Sequence, residues 1–455
     1  MMLLRYLLIV GICTTLCFRS FSQEITSLPG LRESIKFRQY AGSVVVDETH
    51  GRTLFYWFVE SQRDPSKDPV LLWLQGGPGC SSLGGLFEEL GPFVPFENNT
   101  VGLNPYSWNK ISNVIFLESP SGVGFSYSNT TADYIVGDHR TAQDSVTFLV
   151  KFFETYPQFS HLPFWVTGES YGGHYVPNLA SAILDYNSVM SHAKINLQGF
   201  MVGNAWTDPT FDNFGATKFW YSHALISEKT FEGMQKNCNF SDIGPLGIDI
   251  NIDECQQNRM NAYKEMGDIN VYSIYSNVCT RPRYRDGIQL MHQINDDVDV
   301  FAEVVNQKRL TENPCVGSFT AKYLNDKAVQ KAIHAPNIKW EMCNAETLHY
   351  SRSDLLSSML PVYRNLFGKI RILVYSGDVD GMVPNTGTKM WLDRLNLTVV
   401  NDWHNWTGND GQVAGYATNY KEMTFTTIRG AGHMVPQDQP RRALDMVTKF
   451  NSGSL

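Results

Sequence analysis

The chain has 455 residues, 43% of them hydrophobic and 18% charged, an ordinary globular composition long enough for one large domain or two. Its formal net charge of −8 argues against nucleic acid as a main partner, because neutralising phosphates needs a basic face. It carries no internal repeat or low-complexity tract, which excludes solenoid and fibrous architectures.

At the N-terminus, Arg5 and Tyr6 precede the apolar run Leu7–Phe18, and Ser20 and Ser22 are small residues placed as cleavage-site positions. This predicts a signal peptide over 1–22 and a mature chain from Gln23 in the secretory pathway. The run falls short of the roughly 20 apolar residues a spanning helix needs, and no later segment is long enough, so no membrane anchor is expected. Of eight cysteines, Cys13 and Cys17 leave with the signal, so six remain. In an oxidising compartment they suggest three disulfides, and their number alone leaves the pairing open. No CxxC pair or histidine cluster has metal spacing, so neither a metal nor a cofactor is expected. Five sequons, at Asn98, Asn129, Asn239, Asn396 and Asn405, predict glycosylation.

Along the chain, short apolar runs rich in β-branched and aromatic residues end in turn or glycine signals: 70–74, 114–117, 164–167, 372–375 and 424–428. Without polar alternation they read as strands buried on both faces, as in a parallel sheet covered by helices. Between them, Val146, Phe148, Leu149, Phe152 and Phe153 form one helical apolar stripe. The alternation predicts an α/β fold. Residues 206–342 break the rhythm: they are more polar, carry four of the six mature cysteines, and read as an insertion stapled by disulfides. The division expected is therefore a core of 23–205 and 343–455 with an insertion over 206–342, whose stretch 286–313 is an exposed loop.

The chemistry centres on Gly168-Glu169-Ser170-Tyr171-Gly172. A GxSxG alone is weak, and an ordinary glycine-rich loop competes with it. Here a strand precedes it and a helical run carrying Leu179, Ala180, Ile183 and Leu184 follows, the setting of a sharp turn that exposes the serine hydroxyl. Two more strand-then-turn segments present Asp380, with Asp378 as competitor, and His433. The order Ser170, Asp380, His433 is the chain order of an α/β-hydrolase triad, in which the imidazole takes the serine proton and the carboxylate orients the imidazole. His174, four residues beyond Ser170, is expected to pack near the site rather than act as base. The Gly76-Gly77 turn after strand 70–74, with the Tyr171 N–H, would supply an oxyanion hole.

Taken together, WLQGGPGCSS (73–82), ESPSGVGFSYSN (118–129), GESYGGHYVP (168–177), YSGDVDGMVP (375–384) and GAGHMVPQDQP (430–440) resemble the serine carboxypeptidase family over essentially the whole mature chain. The resemblance implies an α/β-hydrolase fold with a mostly parallel central sheet and a helical insertion (cap). It also implies release of single C-terminal residues from peptides and proteins, in lysosomes, vacuoles or outside the cell. On the family's pattern Ser170, Asp380 and His433 are catalytic and Gly77 and Tyr171 form the oxyanion hole. Gln75, Gly76, Glu89 and Glu169 then bind the substrate's terminal carboxylate. Two carboxyls in contact cannot both ionise cheaply, so one keeps a proton and donates to that carboxylate, which implies an acidic optimum. Gln75 departs from the family's usual asparagine, keeping the donor on a longer arm. For the leaving residue, Met434 favours an apolar side chain and Glu88 a basic one. The family pairing of cysteines is Cys80–Cys343, Cys238–Cys255 and Cys279–Cys315.

Expected partners are therefore peptide or protein C-termini, with a homodimer open and no nucleic acid or membrane anchor. Two other functions stay in view. The same acyl-enzyme could pass its acyl group to an alcohol or amine, although the retained Glu169 favours peptidase chemistry. A non-catalytic secreted glycoprotein that binds another protein would be expected to have lost its triad.

Overall fold

The computed structural model describes residues 21–191, 194–245, 253–280, 313–344 and 346–455. Most of the expected signal peptide and of the exposed loop at 286–313 lies outside these residues, and the expected cleavage point falls within the first strand, Phe21–Glu24.

Among the described residues an 11-stranded mixed sheet organises the fold. Its centre is six parallel strands in the spatial order Asn113–Leu117, Val70–Leu74, Phe164–Glu169, Leu197–Gly203, Arg371–Gly377 and Thr424–Ile428. Antiparallel strands flank it, with Phe21–Glu24, Gln39–Asp47 and Arg52–Val59 on one side and Val413–Tyr420 and Val399–Thr407 on the other. All five expected strands lie in the parallel centre, and Leu197–Gly203 is the parallel strand the run pattern passes over. Its apolar stretch is only Phe200-Met201-Val202, and at Gly199 any side chain would begin 2.0 Å from Arg371 O.

Both faces of the sheet's parallel centre are buried, which is why these strands read as unbroken apolar runs. Leu54, Tyr56 and Phe58 point into one core with Leu72, Val166 and Val374; alternate residues Phe55, Trp57 and Val59 enter the other with Trp73, Phe116 and Leu373. The helices Asp138–Thr155 and Gly172–Val189 cover the first face through Phe148, Leu149, Phe152, Leu179 and Ile183. On the second face pack Leu86, Phe87, Tyr323, Val329, Trp340 and the C-terminal helix Pro440–Ser452. The regular elements in the described part of 206–342 are all helices, joined by turns and loops. Those near 209–266 have their own small core around Phe219, Trp220, Met234 and Ala262, whereas Val316–Leu324 joins the sheet's second core.

Disulfides join Cys80 to Cys343, Cys238 to Cys255 and Cys279 to Cys315, the same three pairs that the resemblance implied. All five sequon asparagines are exposed. Among the described residues no helix is long and apolar enough to cross a membrane.

Candidate active site

The carboxyl ends of the parallel strands converge, the usual place for a ligand site in an open α/β sheet. Ser170 follows the strand Phe164–Glu169 with φ 58°, a left-handed backbone rare for a serine. Such strain persists only where surroundings fix it, and here they do. The Ser170 N–H donates to Gly203 O at 3.0 Å, and Ser170 O accepts from Trp206 N and Gly173 N, each at 2.8 Å. At Gly173 a Cβ would lie 2.1 Å from Trp206 O, so the helix after the serine can start here only with glycine. The turn over Gly76 approaches from the neighbouring strand. A side chain at Gly76 would begin 2.6 Å from Tyr171 N and 2.7 Å from Ser170 Cβ, so these two backbones meet because neither adds an atom between them.

Asp380 and His433 follow the strands Arg371–Gly377 and Thr424–Ile428. His433 Nδ1 and Asp380 Oδ2 are 2.8 Å apart and both residues are buried. Asp380 Oδ2 also accepts from Asn204 Nδ2 at 2.7 Å and Val383 N at 3.1 Å, while Oδ1 accepts from Met382 N at 2.7 Å. Asp378, the competing carboxylate, instead accepts from Gly430 N at 2.6 Å and closes the turn before His433. His433 Nε2 is buried and has no hydrogen-bond partner among the described residues.

A second group of residues surrounds Glu169. Trp73 Nε1 donates to Gln75 Oε1 at 2.8 Å, which fixes the orientation of the amide. Its Nε2 then donates to Glu89 Oε1 at 3.0 Å and to Glu169 Oε1 at 2.6 Å. Burial, followed by the charge of its neighbour Glu89, raises the Glu169 carboxyl well above the usual range; burial likewise raises Glu89. The two carboxyls are in hydrogen-bonding contact, and with no proton between them Glu89 Oε2 and Glu169 Oε2 would have no donor. One shared proton resolves both problems. Glu88, adjoining the pair, is pushed up to about 7 by burial and is held by Thr320. Met434 leads into the short helix Val435–Asp438.

Two contributors, Asn204 and Tyr272, escape the motif pattern, and a third, Trp73, stands in it without an assigned role. Asn204 holds Asp380 and also accepts from Gly377 N at 3.0 Å; its place just past a parallel strand was the available signal. Tyr272 O accepts the His433 N–H at 2.6 Å, and its ring meets the imidazole edge-on at 5.0 Å. It reaches the site from a turn after the helix Glu254–Met266, where no local pattern marks it. Trp73 is hidden inside a strand whose apolar character explains it already.

The sequence profile of the serine carboxypeptidase family matches residues 29–453. The chain belongs to the serine carboxypeptidase family. Serine carboxypeptidase 24 of Arabidopsis thaliana is 42% identical over 98% of this chain and 97% of its own length. Serine carboxypeptidase-like 34 of the same plant is 41% identical over 95% of this chain and 90% of its own. Among solved structures, Kex1(Δ)p, a prohormone-processing carboxypeptidase from Saccharomyces cerevisiae, superposes with a TM-score of 0.76 at 22% identity, covering 94% of both chains. At that identity the match speaks for the α/β-hydrolase fold alone. With the family in hand, the chain is a serine-type carboxypeptidase, a hydrolase whose substrates are peptides.

Proposed function

We propose that this carboxypeptidase releases single C-terminal residues through a Ser170 acyl-enzyme and works best in acid. Ser170 Oγ attacks the last peptide carbonyl as His433 Nε2 takes its proton, and Asp380 holds the other ring nitrogen and stabilises the imidazolium. The tetrahedral oxyanion is held by the N–H groups of Gly77 and Tyr171. The C–N bond then breaks as His433 returns the proton to the leaving amine, and water repeats the sequence to free the shortened peptide.

The observation that carries this reading is the buried carboxyl pair, one member directly before the serine, with Gln75 bridging both. An endopeptidase or esterase has no use for it. Next to a substrate's free carboxylate, a protonated Glu89–Glu169 pair donates, and Gln75 and the Gly76 backbone complete the cradle. Acidity keeps that proton in place, since both carboxyls are raised. Glu88 and Met434 border the leaving side chain. We assign residues 206–342 to the cap and 23–205 with 343–455 to the core. The three disulfides and exposed sequons support the lumen of the secretory pathway, whether secreted or vacuolar and lysosomal.

The test is a pair of blocked dipeptides differing only at the C-terminus, one a free acid and one an amide. Release from the acid at least about a hundredfold faster is expected, because the amide leaves the pair without an anion. Equal rates would remove the exopeptidase reading.

A further inference from the structure

Beneath the oxyanion hole lies a buried cluster with no part in the steps above. Asp138 opens the helix Asp138–Thr155. Its Oδ1 accepts from Tyr171 Oη at 3.1 Å and from Tyr350 Oη at 2.5 Å; its Oδ2 lies 2.8 Å from His174 Nδ1. Among the described residues no lysine or arginine donates to this carboxylate; the two hydroxyls, the imidazole and, at 3.4 Å, the Asn178 amide stand against it instead. Such a network is costly to leave half satisfied and rigid when complete. His174 is fully buried and stacks on the Tyr171 ring at 4.5 Å. Burial holds the Tyr171 and Tyr350 phenols well above their ordinary range, so both remain donors.

The cluster reaches both sides of the hole. Tyr171 is the residue whose own N–H faces the Gly76 turn. On the other side, Gly79 N donates to Tyr175 Oη at 3.3 Å, and Tyr175 is hydrogen-bonded to Tyr350. Gly79 belongs to the turn carrying Gly77, closed by Cys80 N donating to Gly76 O at 3.1 Å. Asn344, six residues before Tyr350, also donates its N–H to Gly79 O at 3.0 Å. Both sides of the hole are therefore tied to one carboxylate, one through Tyr171 and one through Tyr175 and Tyr350.

We propose that Asp138 and Tyr350 are positioning residues that set the spacing between the Gly77 and Tyr171 N–H donors. This rests on the acyl-enzyme reading above. Electrostatic stabilisation works only when donors stand where the oxyanion forms, so slack in the cluster weakens the transition state more than substrate binding.

The experiment compares wild type with Asp138→Asn and with the milder Tyr350→Phe. Three readouts are taken: kcat and KM on a blocked dipeptide, affinity for a peptide aldehyde that Ser170 converts to a tetrahedral adduct, and affinity for a product carboxylate. We expect kcat to fall between about tenfold and the roughly hundredfold that losing a whole oxyanion donor brings. KM and product affinity should stay within about twofold, and aldehyde affinity should fall in parallel with kcat. Unchanged kcat in folded Tyr350→Phe would overturn the proposal. So would equal weakening of both ligands, the mark of a merely structural role. If wild type itself neither turns over peptide nor binds aldehyde, the acyl-enzyme reading has failed instead.

Discussion

Asn204 Nδ2 lies 2.7 Å from the Asp380 oxygen that also faces His433, and the same asparagine's carbonyl holds Gly377 N at 3.0 Å. One side chain thus joins the end of a parallel strand to the carboxylate that orients the imidazole. A hydrogen bond to a charged group contributes about 1.5–3 kcal/mol, and each 1.4 kcal/mol of barrier is about tenfold in rate. Asn204→Ala is expected to lower kcat between about tenfold and a hundredfold, with KM little changed. Steady-state kinetics on one blocked dipeptide decides it; an unaltered kcat would mean the backbone donors suffice.

Peptide affinity depends on pH with a defined sign. Glu89 and Glu169 are raised above 4.5 by burial, Glu89 to about 7. A carboxyl raised on folding binds its proton more tightly when folded, so its contribution to stability is present in acid. That contribution is lost as pH climbs from about 4.5 through the raised value. The donor to the substrate's carboxylate is lost over the same window, so KM should rise from about pH 5 to 8. In Glu169→Gln, whose amide donates at any pH, that rise should flatten. A KM profile equally steep in this variant would detach the pair from substrate binding.

Gln75 divides its amide between Trp73 on one side and both carboxyls on the other. Gln75→Asn retains the donor and should keep most of kcat. Gln75→Leu leaves two buried carboxyls without that donor, and KM should rise by about tenfold or more, in line with 1–3 kcal/mol for an orphaned buried partner. Complete inactivity of Gln75→Asn would refute the assignment.

Glu88, at about 7, offers a resolution of the leaving-residue conflict. Below that pH it is neutral and the Met434 side of the pocket should favour apolar residues; above it the carboxylate should favour lysine or arginine. The ratio of kcat/KM for C-terminal lysine over leucine should therefore climb with pH in wild type and stay level in Glu88→Gln. A level ratio in wild type would place Glu88 outside the pocket.

Much of this site was legible because its chemistry sits on short loops after strands. Ser170, Asp380 and His433 each follow an apolar run with glycine turns, and sterics near Gly76 and Gly173 demand those residue types. Five of the six central parallel strands were equally visible, since burial on both faces leaves no polar alternation; Leu197–Gly203, with only three apolar residues in a row, was not. Arg52–Val59, although fully buried, pairs antiparallel at the flank, and nothing in its composition states its direction. Val399–Thr407 is mostly exposed, and its valines and tryptophans are broken by polar residues rather than joined in one run. Asn204, Tyr272 and Asp138 act through contacts across tens or hundreds of residues, which spacing within a motif does not encode.

Hydrolysis through Ser170 underlies every step proposed for this enzyme. The most direct measurement is release of the C-terminal amino acid from blocked dipeptides between acid and neutral pH, with wild type beside Ser170→Ala. Release should peak in acid and disappear in the variant. Release that survives in Ser170→Ala, or none at any pH from well-folded wild type, would contradict it.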